Sequence, residues 1–406
     1  MTQPSSHRQI LRSSTIIGGS SLANIIIGLL RTKAVAVLLG PAGIGLVALF
    51  NQLVYTAAVI ATLGLANAGT RQIAEAHSLG DQAVVATARR ALFWGTLLLA
   101  FLGTALFWAL RVPLAILVLG DADQAGALGW LALGVGLTVA CASQTALLTG
   151  LRRIGDIARI NVVAALISTV IGVAALWAWG ERGILIYVLV APLAMLAMGH
   201  LYVARLPMVE TASTPLSQIA AQWQTLVRLG GAFMGATLMV SLGHLLVRSL
   251  LQRELGPEAL GQFQAAWALS MTYFGLVLGA MATDYYPRLT ASIQDHVSAN
   301  RLVNEQTEVA LLLAGPLLLV ILALTPWVVR LLYSAQFGDT VVILRWQVLG
   351  DVLKVASWPL GYVLLAASAG RTYLLSESFT IGLFVVLVWL GLPWLGVQVT
   401  GIAFVL

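Results

Sequence analysis

The stretch Leu39-Gly40-Pro41-Ala42-Gly43-Ile44-Gly45 returns in the second half of the chain as Leu255-Gly256-Pro257-Glu258-Ala259-Leu260-Gly261. Each copy lies between long apolar segments and follows a pair of cations: Arg31 and Lys33 in the first copy, Arg248 and Arg253 in the second. A duplicated apolar unit with embedded cations is typical of secondary transporters, in which the substrate site lies between the two halves. The repeat therefore predicts a transporter built from two related halves.

The composition indicates a membrane protein. Of the 406 residues, 59% are hydrophobic and only 9% are charged, and the mean hydropathy is +0.93. Soluble domains carry about 25% charged residues, and about 20 apolar residues suffice to cross a bilayer as a helix. We predict an all-α integral membrane protein with eleven full spans, at residues 13–38, 43–68, 91–110, 124–149, 157–178, 183–203, 229–251, 262–286, 306–330, 341–367 and 372–394.

Residues 396–406 begin a twelfth predicted span. Because a helix rises only about 1.5 Å per residue, this stretch is too short to cross a bilayer, and we expect the last helix to be truncated. The polar stretch 207–228 reads as a cytoplasmic linker between an N-terminal lobe of six helices, residues 1–206, and a C-terminal lobe, residues 229–406. Because six is an even number, both lobes begin on the same side of the membrane, as in transporters with parallel repeats.

The arginines predict the orientation. The formal net charge is +6, and the arginines outside the spans or at their ends concentrate on one side, including Arg89, Arg90, Arg152, Arg153 and Arg159. Lys and Arg gather in cytoplasmic loops of membrane proteins. We therefore predict a cytoplasmic N-terminus, and we attribute the positive charge to topology rather than to nucleic-acid binding.

Ionisable groups within spans are costly and usually mark a pathway or a site. Asp351 and Lys354 are three residues apart and so share a helix face, either as a structural ion pair or as a polar wall of an aqueous cavity. His244 and Arg248, four apart, also share a face. For Arg248 the alternative is an extended side chain that reaches the outer interface. Arg345 lies in the same predicted span as Asp351.

The remaining candidates are less sharply defined. Arg31 and Lys33 are two residues apart, so they point in opposite directions and only one easily faces a central cavity. Asp284 ends a predicted span beside two tyrosines and could equally be an interfacial residue. Glu377, in the eleventh span, is a candidate for proton titration. We expect proton or Na⁺ coupling, if present, to use His244, Asp284, Asp351 or Glu377.

Several classes of protein are excluded by what the sequence lacks. The chain has two lysines, Lys33 and Lys354, and neither follows a glycine, so it has no nucleotide-binding loop of the Walker type. No cluster of His and Cys suggests metal ligands, and no hydrolase motif occurs. We therefore expect neither a cofactor nor an enzymatic activity.

Three segments carry a resemblance to a known family. They are Arg31 through Gly45, Thr283-Asp284-Tyr285-Tyr286-Pro287-Arg288-Leu289, and Leu344-Arg345-Trp346-Gln347 through Lys354 to Gly361-Tyr362. The chain resembles the Wzx-type flippases, which export O-antigen or enterobacterial common antigen repeat units. These belong to the multidrug/oligosaccharidyl-lipid/polysaccharide (MOP) exporter superfamily, with MurJ and the MATE transporters as relatives.

The resemblance implies twelve helices in two pseudo-symmetric lobes around a cationic cavity. It further implies an undecaprenyl-diphosphate-linked oligosaccharide as substrate, moved across the bacterial inner membrane. Lys33 and Arg248 match positions where these flippases carry cations, and Arg31 matches a cavity arginine of MurJ. Membrane lipids, a polysaccharide polymerase and a chain-length regulator are the candidate partners.

The predicted mechanism keeps the lipid tail in the bilayer while the head group crosses a hydrated cleft by alternating access. Five cations would compensate the diphosphate: Arg31, Lys33, Arg248, Arg345 and Lys354. Two alternatives remain. A cation-coupled drug exporter of the MATE type would favour acidic and aromatic groups, and a polymerase or glycosyltransferase acting on the same lipid would need a large extramembrane loop.

Overall fold

A computed structural model describes the backbone of residues 6–80, 82–206, 216–367 and 369–406. Side-chain surroundings are described in these ranges apart from residues 6–17, 82, 216–222, 224–233 and isolated positions from 236 to 283. Regular structure in these ranges is helical, which confirms the predicted all-α class. The α-helices are α1 Ser6–Thr62, α2 Leu65–Ser78, α3 Gln82–Ala109, α4 Arg111–Leu114, α5 Ala125–Gly150, α6 Ile154–Trp179, α7 Ile184–Ala204, α8 Leu216–Glu254, α9 Gly256–Ser292, α10 His296–Leu332, α11 Gly338–Ala366, α12 Gly370–Leu395 and α13 Val399–Val405.

The described helices confirm a multi-pass membrane protein. Several helical stretches are long and apolar enough to cross a bilayer, and one of them contains both α6 and α7. Among the described residues these stretches are Gly18–Thr62, Ala83–Ala109, Ala122–Gly150, Ile154–Ala204, His296–Leu332, Gly338–Ala366 and Gly370–Val405.

Glycines set the breaks near the N-terminus. α1 is interrupted at Gly40, whose φ of 64° lies in the left-handed region, where a side chain is strained. Pro41 then starts the second part of α1, and its missing N–H costs nothing at a helix start. The prediction that the second span, 43–68, continues to residue 68 is wrong. α1 ends at Thr62, because Leu63 and Gly64 both have positive φ and separate α1 from α2.

The internal duplication extends well beyond the quoted heptapeptides. Gly256 repeats the positive φ of Gly40, at 86° against 64°. The offset in numbering that takes Gly40 to Gly256 also takes both ends of α6, Ile154–Trp179, to those of α12, Gly370–Leu395. The turns that follow these helices begin with Gly180 and Gly396, both at φ 55°. α6 and α12 therefore match in length, and the turns after them match in conformation, in addition to the shared motif.

The duplicated motif is also a helix contact. A Cβ placed on Gly45 would overlap the backbone oxygen of Pro257, and one placed on Gly261 would overlap the backbone oxygen of Pro41. Each copy therefore presses its last glycine against the proline of the other copy. Close approach of helix backbones at small residues is common in membrane proteins.

This contact explains how the chain divides. One compact unit comprises the chain up to Leu38 together with Leu49–Ser241, and the other comprises Leu39–Ala48 and Leu242–Leu406. The first motif therefore belongs to the unit formed by the C-terminal half. Of the predicted linker 207–228, residues 207–215 lie outside the described residues, and the remainder forms the start of α8. The predicted lobe boundaries stay a prediction.

Candidate functional site

The C-terminal unit contains a buried acidic group on α11. Asp351 has no exposed surface, and its Oδ2 accepts a hydrogen bond from Ser270 Oγ at 2.7 Å. Tyr273 on α9 donates a second hydrogen bond to the same oxygen. Within the described residues, Asp351 Oδ1 and both amide atoms of Gln347, one turn earlier, have no hydrogen-bond partner. A buried polar group without a partner costs free energy, so this arrangement is suited to receive a cation or a proton.

A lysine lies one turn further along α11. Lys354 is half-buried and interacts electrostatically with Asp351 and with Glu377 of α12. Its Nζ lies 5.2 Å from the centre of the Phe404 ring, a distance at which a cation is attracted to the ring face. Glu377 also shares a hydrogen bond with Tyr373. The structure thus brings together three predicted site residues, Asp351, Lys354 and Glu377.

Arg248 on α8 is buried, with 5% of its surface exposed. Its Nε and one terminal nitrogen donate to Gln264 Oε1 at 3.2 and 2.9 Å, and the other terminal nitrogen donates to the His244 carbonyl at 3.2 Å. The guanidinium lies 5.8 Å from the centre of the Phe263 ring. In the described residues all these partners are neutral, so the charge is solvated by dipoles and is not matched by a carboxylate. The Arg248 side chain is therefore buried within the unit and does not extend to the outer membrane interface.

His244 lies near both Arg248 and Lys354. Its ring lies 4.9 Å from that of Trp267 in an edge-on arrangement, and it experiences the charges of Arg248 and Lys354. Trp267 in turn packs against Phe384 and Phe404, with ring centres 6.2 and 5.6 Å apart. An aromatic wall therefore lies beside the cations of this unit.

The two N-terminal cations belong to the other unit. The Arg31 guanidinium lies 5.6 Å from the centre of the Tyr187 ring on α7, and the two side chains also share a hydrogen bond. Lys33 is half-buried. Both side chains are half-buried, so an anionic partner can still reach them.

Two predicted residues are not joined to these groups. Arg345 is exposed and lies between one and two helical turns before Asp351 along α11. Asp284 is exposed and forms an ion pair with Arg288 at 3.1 Å. An exposed pair four residues apart on a helix is worth a few tenths of a kcal/mol. Neither residue shares the surroundings of the buried cluster.

Sequence reasoning missed the partners that hold the buried groups. Ser270, Tyr273 and Gln264 are uncharged side chains on α9, and polar residues of this kind give no signal in a hydropathy profile. The duplication supplies the missing signal. The offset that relates Gly40 to Gly256 pairs Asp351, Ser270 and Tyr273 with Val135, Val54 and Ala57 of the first half.

Those earlier positions show that the fold does not require the polar cluster. Val135 is fully buried and Val54 nearly so, which means that apolar residues fill the corresponding sites of the first half. Arg248 corresponds to Thr32, which carries no charge. Ionisable groups buried at these positions in one half only, at a cost that the other half avoids, point to a function of the C-terminal half.

Solved structures share this fold. An inward-facing multidrug resistance MATE family transporter of the MOP superfamily aligns with a TM-score of 0.76 at 15% identity, covering 94% of this chain and 90% of that one. A MOP superfamily transporter from Pyrococcus furiosus aligns with a TM-score of 0.68 at 17% identity, covering 100% of this chain and 95% of that one. The predicted MOP fold is therefore confirmed.

Sequence comparison adds the family. The lipid III flippases of Escherichia coli (strain K12) and of Shigella flexneri are each 26% identical to this chain over 386 residues, covering 91% of it and 88% of their own length. Residues 34–342 match the family described as "Polysaccharide biosynthesis protein". The expected kinship with polysaccharide exporters is thereby confirmed, and the chain belongs to the polysaccharide biosynthesis protein family of the MOP fold.

Proposed function

We propose that this protein is a flippase for an undecaprenyl-diphosphate-linked oligosaccharide, such as an O-antigen or enterobacterial common antigen repeat unit. It would move this lipid from the cytoplasmic to the periplasmic leaflet of a bacterial inner membrane, with its own N-terminus in the cytoplasm. The family match and the similarity to two lipid III flippases support this activity. A polymerase and a chain-length regulator would then use the exported unit.

The observation that carries the proposal is the buried Arg248. A guanidinium held by neutral partners in a membrane protein is stabilised when an anion binds beside it, and its forked donors suit a phosphate. Lys354 supplies a second positive charge in the same unit. An exporter of cationic drugs would gain nothing from these groups, because they repel its substrates.

Depletion of the protein tests the proposal. We expect the undecaprenyl-diphosphate-linked oligosaccharide to accumulate, unaltered in covalent structure, on the cytoplasmic leaflet while surface polymer disappears. Mass spectrometry of extracted lipids, with a membrane-impermeant glycosidase to report the leaflet, measures both. Accumulation of an unpolymerised unit on the periplasmic leaflet would instead identify an enzyme that acts after translocation.

We further propose that Asp351 is the coupling group, which binds a proton or Na⁺ during each cycle. Its unpartnered oxygen and the hydroxyls of Ser270 and Tyr273 support this role, since oxygen ligands suit both ions. Binding of either ion would neutralise a carboxylate that is otherwise costly to bury.

Asp351→Asn keeps the shape of the side chain but removes the charge, so we expect translocation to lose its dependence on an ion gradient. In proteoliposomes the stimulation by an imposed proton or Na⁺ gradient should vanish, while wild type responds to one of them. Asp284→Asn, at an exposed acid of α9, is the control and should keep the response. An Asp351→Asn protein that is still stimulated would remove Asp351 from coupling.

A further inference from the structure

The N-terminal unit contains a cavity that the proposed transport mechanism does not use. Its volume is about 1100 Å³, and it lies among α3, α5 and α7 together with the end of α2. Its walls are mainly apolar, with Val85, Phe93, Leu147 and Leu196 among the lining residues. Pockets for small molecules typically measure about 300–1,000 Å³, so this one has room for a sizeable amphiphile.

Cations are grouped in the lining of this cavity. Arg89, Arg90 and Arg153 contribute to it together with His77 and His200, and its described lining contains no aspartate or glutamate, although Arg153 also pairs at 3.6 Å with Asp156 outside the lining. All three arginines belong to segments that the arginine distribution predicts to be cytoplasmic. The cavity therefore combines apolar walls with a positively charged end on the predicted cytoplasmic side.

The duplication shows that these cations are not a requirement of the fold. The offset that relates the two halves pairs Arg89, Arg90 and Arg153 with Glu305, Gln306 and Ala369. Because the two halves have parallel topology in the prediction, a general preference for cytoplasmic arginines would act on both. At these three positions the positive charge is therefore present in the N-terminal half only.

We propose that this cavity binds an anionic phospholipid of the cytoplasmic leaflet. The arginines would hold the phosphate, and the acyl chains would lie against the apolar walls. Basic pockets between transmembrane helices on the cytoplasmic side bind anionic head groups in this way. The assignment of the leaflet rests on the proposed orientation, whereas the binding chemistry does not.

A lipid-linked sugar fits the cavity less well. Apart from the arginines and histidines, the polar side chains in its described lining are Thr96, Ser143 and Gln144. Recognition of an oligosaccharide needs hydrogen-bonding groups along its length, and these few side chains do not supply them. The chemistry therefore favours a compact phosphate head group on an apolar tail.

Native mass spectrometry of the purified full-length protein tests the proposal, with mixed micelles of phosphatidylglycerol and phosphatidylethanolamine as the probe. At about 1 kcal/mol per arginine, the double variant Arg89→Gln/Arg153→Gln should bind phosphatidylglycerol about 30-fold more weakly. Arg89→Lys/Arg153→Lys keeps both charges and should retain most of the binding. Arg71→Gln/Arg182→Gln removes two exposed arginines outside the cavity lining and should bind as wild type does.

Thermal unfolding in detergent gives a second measurement. Added phosphatidylglycerol should raise the melting temperature of wild type and of the control, and should raise that of the Arg89→Gln/Arg153→Gln variant much less. Equal phosphatidylglycerol binding by all variants would overturn the proposal. A second result would also overturn it: equimolar undecaprenyl phosphate displaces phosphatidylglycerol from wild type, and the Arg89→Gln/Arg153→Gln variant no longer binds undecaprenyl phosphate. The cavity would then serve the substrate. None of these outcomes depends on whether the protein is a flippase.

Discussion

Replacement of Arg248 by alanine is expected to lower the initial rate of translocation about 100-fold and to abolish surface polymer, while the protein remains in the membrane. The loss of a charge-assisted hydrogen bond to phosphate costs about 3 kcal/mol, which corresponds to this factor. Gln264 Oε1, which now accepts two hydrogen bonds from the guanidinium, would lose its partner, so some loss of stability should accompany the effect. The rate is measured in proteoliposomes at equal amounts of folded protein.

Two variants make the result specific. Arg253→Ala removes an exposed arginine from the last turn of the same helix and should leave the rate within about twofold of wild type, as expected for a screened surface charge. Arg248→Lys keeps the charge without the forked donors and should give an intermediate rate. Wild-type translocation by Arg248→Ala would exclude Arg248 from substrate binding.

Gly261→Ala is expected to destabilise the protein. The new Cβ would overlap the backbone oxygen of Pro41, and a backbone atom cannot move aside as a side chain can. Overpacking of this kind costs about 1–3 kcal/mol. We expect the melting temperature in detergent to fall by about 1–4 °C for a chain of this length, with less protein recovered from the membrane.

Gly275→Ala is the matched control for this substitution. Gly275 lies in the same helix, and a Cβ at this position meets no atom within 4 Å. Because alanine favours a helix over glycine by about 1 kcal/mol, stability should be unchanged or slightly increased. If Gly261→Ala were as stable as Gly275→Ala, the contact between the two motif copies would not be a determinant of the fold.

The sequence alone was sufficient for the helical class, the membrane setting and the duplication. Hydropathy is a sum over neighbouring residues, so a span such as 157–178 falls within α6 at Ile154–Trp179. A proline restricts the backbone of the residue before it. Gly40 and Gly256, each followed by proline, therefore marked helix breaks without knowledge of distant contacts. Among the site residues, Asp351, Lys354 and Arg248 stood out because charge is rare within a span.

Only the tertiary structure decided which groups meet. Ser270 and Tyr273 on α9 reach Asp351 on α11, far along the chain, and that encounter depends on the rotation and crossing of the two helices, which no local pattern encodes. The same holds for the contact between Gly45 and Pro257, and for the exposure of Arg345 on the helix that buries Asp351. Side chains find their partners through packing in three dimensions, whereas spans and turns arise from neighbours along the chain.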